Sequence, residues 1–454
     1  MARGKKKETL TPEDRMQAAL VPESEQPYKV PENWCWVKVG DLCTFIGGGT
    51  PDKTNPLYWN GNISWASVKD IKGSYLYSTI DKISQLGLES SSSNLCETGD
   101  LLLVTRIEPA KAIVSKIVTA INQDLKIVKS ELSSLFLYYY FCAFQHEFEK
   151  KASGSTVKGI TLPNIQNTPF PLPPLPEQQR IVDRIENLFA KLDEAKQKAQ
   201  DALDSFETRK AAILHKAFTG ELTAQWRKEH GIGMDSWKEK EIGQIAFVTK
   251  LAGFEYTKNI APNLVDAGIP LFKGKNVQKG ELILEFESYI PENVSDELLR
   301  SQLNRKCLLT PYVGTIGNIA IFDGSFKAHL GSNVGKIEIN SDTYEEYVLY
   351  YLRSDFGYKE LTKQKKATAQ ESISIQAIRE VLIRIPLQEE QTEIVRILDD
   401  LLAKEQQVKE AAEGVLEQID LIKKAILARA FRGELGTNDP SEESAVELLR
   451  NILE

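Results

Sequence analysis

Apolar residues recur at intervals of four and three along two long stretches of the chain. In the first, Ile181, Ile185, Leu188, Leu192, Ala195, Ala199, Ala202, Phe206 and Ile213 keep that spacing, broken at Arg209. In the second, Ile394, Leu398, Leu401, Val408, Ala412, Val415, Ile419, Ile422 and Ile426 do the same, broken at Glu405. A seam of this period predicts coiled-coil helices. Pro173, Pro174 and Pro176 delimit the first start, and Gly220 and Gly433 stand where a helix-terminating glycine belongs. About 40 residues at 1.5 Å each make a rod of roughly 60 Å. Outside the rods, short β-like runs (101–105, 112–118, 307–310, 318–322) are followed by one helical stretch per region (132–150, 342–359). They predict α/β or α+β globular domains over 31–172 and 237–385. The remaining segments read as an N-terminal arm (1–30), a linker (223–236) and a C-terminal tail (436–454) that ends in a short helix.

The two rods are copies. Residues 177–222 align without a gap on 390–435 at an offset of 213, with 19 of 46 positions identical. The offset extends backwards, placing Ile160, Leu162, Ile165, Phe170 and Pro173 on Ile373, Ile375, Ile378, Ile383 and Pro386. Residues 63–71 are loosely similar to 269–277, and Trp36 followed by Gly40 answers Trp237 followed by Gly243. The chain therefore reads as one unit written twice, a variable globular region followed by a well-matched helix (173–222 and 386–435). A globular domain separates the helices, so an antiparallel pair with pseudo-two-fold symmetry is the expected geometry.

Composition narrows the function. With 454 residues, 42% hydrophobic and 26% charged, the chain is ordinary globular protein of two to four domains. Its longest apolar-looking run, 135–144, is too short to cross a bilayer, and the basic N-terminus has no apolar segment of a secretory signal behind it. The expectation is a cytoplasmic protein with no membrane partner. Five cysteines without a CxxC pair predict buried thiols, and four unlinked histidines offer no metal-ligand spacing. A net charge of −8 argues against tight autonomous binding to nucleic acid, unless a local basic face or a partner shares the charge.

Two motifs suggest a methyltransferase. Phe45-Ile-Gly-Gly-Gly49 fits the adenosylmethionine loop F-x-G-x-G, and Asn167-Thr-Pro-Phe170 approaches the tetrapeptide that grips a flipped adenine. The first requires a helix directly after its glycines, but the residues that follow include Pro51 and Pro56 and lack a helical period. The second has Thr168 where proline is needed. No phosphate-binding GxxxxGK(S/T) loop and no nucleophile–base pattern is present, so no catalytic residue is assigned. What remains are polar loops with aromatic and small residues in both halves: 47–59, 106–111, 153–158, 250–258, 273–279 and 312–318. These are the residue types that read base edges and hold phosphates.

The sequence resembles the specificity subunits of type I restriction–modification systems. Carrying the resemblance are Pro173-Pro-Leu-Pro-Glu-Gln-Gln-Arg-Ile-Val182 with its echo Pro386-Leu-Gln-Glu-Glu-Gln-Thr-Glu-Ile-Val395. Ile213-Leu-His-Lys-Ala-Phe-Thr-Gly-Glu-Leu-Thr-Ala-Gln-Trp-Arg227 with Ile426-Leu-Ala-Arg-Ala-Phe-Arg-Gly-Glu-Leu435 adds to it, as do Pro31-Glu-Asn-Trp34 and the Gly-Gly-Thr-Pro51 stretch. The resemblance implies a non-catalytic reader of double-stranded DNA. It would have two target recognition domains joined by two long antiparallel coiled-coil helices, each domain reading one half of a bipartite asymmetric site. The coiled coil would set the gap and dock two modification subunits that methylate adenine N6. Two restriction subunits would complete the complex. S-adenosylmethionine, ATP and Mg would belong to those partners and not to this chain. Residue type alone nominates Lys69, Arg106 and Lys158 in the first domain as DNA contacts, with Lys273, Lys275, Asn276 and Tyr312 in the second. The rival readings are a methyltransferase using Phe45 to Gly49 and a coiled-coil scaffold without a DNA role.

Overall fold

The computed structural model describes residues 12–154, 157–340, 342–363 and 371–454. The lysine-rich residues 2–7 and two positions of the 153–158 loop lie outside them. The chain divides into two units, Met1–Lys198 with Gly414–Glu454, and Ala199–Glu413.

In the first unit a five-stranded sheet runs in the order Thr44–Gly47, Leu125–Lys129, Leu101–Val104, Ala112–Ser115 and Tyr75–Leu76. Its strands alternate side chains between two cores. Leu101, Leu103, Ala112 and Val114 face the helix Ser134–Lys150, whereas Leu102, Val104, Ile113 and Ile127 pack with Ala66, Cys96 and Ile121 of a second sheet. That four-stranded sheet orders Asp81–Ile83, Trp59–Ala66, Thr119–Ile121 and Leu95–Cys96, with Trp65 parallel to Ala120. The apolar runs of the central strands are explained by burial on both faces.

The second unit repeats this helix–sheet–sheet arrangement. One sheet is ordered Ala246–Lys250, Val334–Ile339, Cys307–Pro311 and Ala320–Phe322. The other is ordered Tyr289–Ile290, Ile269–Phe272, Ala328–Leu330 and Gln302–Leu303, with Leu271 parallel to His329. The α+β expectation holds for both domains. The helix expected over 342–359 is divided into Glu345–Arg353 and Asp355–Thr362, because Ser354 ends one and its hydroxyl accepts from Gly357 N to begin the next. All five cysteines are free, and four are buried.

The second long helix is continuous from Gln388 to Ala430, whereas the first is broken at Ser205 into Leu175–Asp204 and Phe206–Phe218. Within each unit the helical segments run antiparallel. In the first, Arg180 bonds the Thr437 carbonyl (3.0 Å) and Asp193 pairs with Lys423 (2.5 Å). In the second, Lys409 lies over the Phe206 ring (5.2 Å) and Arg209 pairs with Glu405 (2.8 Å).

The seam differs from the expected one in the second helix. Ile181, Ile185, Phe206, Ile394, Leu398 and Ile419 are buried, and Leu188, Leu192, Ile213, Leu401 and Ile426 are half-buried. Val408 is 46% exposed, and Val415 and Ile422 are exposed with it. The inward positions next to them are Lys409, Leu416 and Lys423. Glu405 does not break the helical register but carries it, through its pair with Arg209. The two lysines hold their ammonium groups over the Phe206 and Phe189 rings, and that of Lys423 also meets Asp193.

The described part of the arm, the linker and the tail are also parts of the folded units. Pro12–Ala19 is a helix packed against the helix Ala445–Leu453, and Leu20 bridges to Val37. Ala224–His230 is a helix whose Arg227 is buried.

These closing segments complete a feature present once per unit. Glu177 and Glu390, at equivalent positions of the repeat, are fully buried. Trp34 Nε1 donates to Glu177 (2.7 Å), and Trp237 Nε1 donates to Glu390 (2.9 Å). Glu177 also accepts from Thr437 (3.1 Å) and Asn438 (2.9 Å), which follow the second long helix. Glu390 accepts from Thr223 (2.7 Å) and Arg227 (2.5 Å), which follow the first.

Three substitutions are read out by denaturant midpoint. Leu398→Ala should cost about 2–5 kcal/mol, and Val408→Ser should stay within about 0.5 kcal/mol. Glu390→Ala strands a buried guanidinium and should cost about 3–5 kcal/mol.

Candidate nucleic-acid interface

Each copy builds its polar edge from the same two devices. The first is a 3-10 turn at the end of a strand, Val68–Asp70 in one unit and Gly274–Asn276 in the other. Its last position reaches back to cap it: Asp70 accepts from Ser67 N (2.8 Å) and Asn276 from Lys273 N (2.9 Å). The same side chain ties the turn onward, Asp70 by accepting from Ile80 N and Asn276 by donating to the Ile283 and Glu285 carbonyls. Lys69 and Lys275 are thus equivalent residues, both exposed on the tip. Asn276, named above as a DNA contact from residue type alone, is 2% exposed, and its side-chain bonds go to Lys273, Ile283 and Glu285, so that it braces the turn. A list of polar types cannot separate an outward residue from an inward cap.

The second device is the loop after a central strand. Ile107 and Ala110 have φ of +77° and +66°, and Gly314 and Gly317 have +87° and +94°, the same spacing of three. Ile107 N donates to the Lys158 carbonyl (2.8 Å), as Gly314 N does to that of Glu371 (2.9 Å). A Cβ at Gly314 would meet nothing within 4 Å. Glycine therefore serves backbone conformation there, and a β-branched residue at the matching place carries strain of about 1–3 kcal/mol.

In the first unit the two devices border a cleft of about 640 Å³ lined by Lys53, Trp59, Trp65, Lys69, Ile107 and Gln123. Trp59 and Trp65 meet edge to face (5.2 Å), with their indole N–H groups donating to the Asp52 and Gly49 carbonyls. Arg106 is exposed and lies 3.3 Å from Asp124, which Asn122 orients from below. Lys158 is exposed beside Ile107. The structure therefore gathers Lys69, Arg106 and Lys158 on one edge and adds Lys53, the two tryptophans and Gln123. Sequence reading named the loop that carries Lys53 and Trp59, but the pairing of Trp59 with Trp65 needs the strand between them.

In the second unit Lys250 stands over the Tyr312 ring (4.3 Å), and burial raises the pKa of that hydroxyl, keeping it neutral. Tyr312 N donates to the Asn333 carbonyl (3.1 Å), against which Gly274 also packs, so tyrosine and lysine turn adjoin. Lys273 donates to Ser288 (2.8 Å), and Lys275 pairs with Glu287, lowering that carboxyl's pKa.

The cofactor-loop motif has a structural explanation instead. Phe45 to Gly47 lie in the strand Thr44–Gly47, and a Cβ on Gly48 would stand 2.2 Å from the Asn122 carbonyl. The segment after Gly49 leads to the 3-10 turn Pro56–Tyr58 and not to a helix. Phe170 is fully buried in the core.

The family model for the type I restriction modification DNA specificity domain matches residues 31–203 and again 234–417. The chain belongs to this family. Its members supply DNA sequence specificity in type I restriction–modification systems, and this chain is such a subunit. It is similar to the EcoBI specificity subunit of Escherichia coli, 23% identical over 72% of this chain and 73% of that one. It is likewise similar to the MjaVIII specificity subunit of Methanocaldococcus jannaschii, 24% identical over 90% and 94%. The HsdS subunit from Thermoanaerobacter tengcongensis shares the fold, with TM-score 0.66 and 19% identity over 90% of this chain and all of that one. Both matched stretches coincide with the repeat seen in the sheets.

The turn geometry separates two kinds of residue by measurement. Lys69→Ala should leave stability within about 0.5 kcal/mol and lower the slope of log affinity against log salt by about one. Asn276→Ala should lose about 1–3 kcal/mol of stability, read by denaturation.

Proposed function

We propose that each unit reads one half of a split, asymmetric DNA site, and that the two long helices set the gap and dock two modification subunits. The observation that carries this reading is the pair of matched devices bearing unmatched chemistry. One unit presents Lys69, Arg106 and a two-tryptophan cleft, and the other presents Lys275 and a Lys250–Tyr312 stack. Equivalent backbones with different side chains suit different base sequences. Duplicated helices suit two copies of one partner, and both cross from one unit into the other.

On this reading the chain has no catalytic group of its own. Adenine-N6 methylation with S-adenosylmethionine belongs to the modification subunits, and ATP- and Mg-dependent cleavage to two restriction subunits, all acting in the cytoplasm. Partner lysines and arginines share the phosphate contacts, which reconciles DNA reading with a net charge of −8.

Methylated adenines mapped genome-wide in cells expressing the modification subunit, with and without this chain, should reveal a two-part motif only when the chain is present. Methylation of a continuous motif, or methylation indifferent to the chain, would return the methyltransferase and scaffold readings. Deleting seven residues from each long helix should shorten the gap and leave both half-sites unchanged.

A further inference from the structure

Ile107 is the anomaly of the first unit's loop. It is a β-branched residue at φ +77° and is 55% exposed, so it contributes little to any core. The sister loop reaches the same backbone shape with Gly314, and its backbone clamp is the same. Backbone shape therefore does not ask for a side chain here, and isoleucine is among the residues least suited to the conformation. A strained, exposed apolar side chain is retained for something outside the fold. It lines the cleft beside Lys53, Lys69 and Gln123, with Arg106 and Lys158 as its immediate neighbours. Those neighbours offer hydrogen bonds and charge, and Ile107, at 55%, offers the more exposed aliphatic surface beside them, ahead of Val157 at 42%. The apolar feature that the major groove presents is the C5-methyl group of thymine.

We propose that Ile107 is a specificity-determining residue of the first half-site, held by the strained loop so that its side chain packs on a thymine methyl. The proposal rests on the reading of this unit as a half-site reader. The backbone clamps at Ile107 and Ala110 fix the direction of the side chain, so the contact is preorganised. The second unit, with glycine at this place, makes no equivalent contact.

The test uses the assembled complex of this chain with its modification subunit and the DNA site mapped for the wild type. I107G should raise the denaturation midpoint, since glycine relieves the strain, yet weaken binding to the cognate site at least tenfold. Replacing thymine by uracil in the first half-site, which removes only the methyl group, should weaken the wild type similarly and leave I107G unaffected. Uracil in the second half-site should not interact with the substitution. I107N, which tolerates the left-handed conformation and removes the apolar surface, should behave as I107G does. Unchanged affinity of both variants, or equal sensitivity of wild type and variants to uracil, would overturn the proposal. A half-site without thymine would do the same. Failure of the wild-type complex to protect any two-part site would instead strike the half-site reading itself.

Discussion

A carboxylate taken wholly out of water must find every hydrogen bond it needs inside the protein, and the described residues of this chain contain that demand twice. Glu177 and Glu390 stand at the starts of the long helices, where an entry through Pro173, Pro174 and Pro176 in one unit and Pro386 in the other brings chain from the globular domain against the helix. Each holds an indole N–H from the start of its own domain and hydroxyl or nitrogen donors from the segment that follows the other helix. Domain, helix start and closing segment are thereby fixed to a single side chain. The two sites differ in one respect: Arg227 neutralises Glu390, while Glu177 is held by neutral donors and by neighbours of the Arg180–Glu442 pair.

The long helices show how polar residues can specify a register that apolar ones leave open. A seam of leucines alone tolerates slippage, whereas Arg209–Glu405 and Asp193–Lys423 are satisfied in one alignment only. Their contribution lies in geometry more than in stability, since partly exposed ion pairs add little free energy.

Much of this architecture was legible in the sequence because repetition is legible. The offset of 213, the terminating glycines and the buried strands of 101–104 and 307–311 follow from composition and period alone. The seam through Lys409 and Lys423 was not, because a hydrophobicity pattern scores lysine as polar and cannot see its ammonium over a phenylalanine ring. The inward turn of Asn276 was hidden for a related reason. Side-chain direction in a 3-10 turn depends on the capping bond, and asparagine is equally apt as cap and as reader. The indole–carboxylate bonds join residues 143 and 153 positions apart, beyond the reach of any local pattern.

The first unit is assembled from both ends of the chain, and that has a consequence on the ribosome. The second unit, being contiguous, can finish folding while the C-terminal residues are still being made. The first unit emerges earlier but must wait, because Phe431 completes its aromatic core and Thr437 and Asn438 complete the shell of Glu177. The half synthesised first is thus the half completed last. A message cut short after residue 413 yields a subunit with its second reader whole and its first unfinished, and the exposed core marks that product for proteolysis.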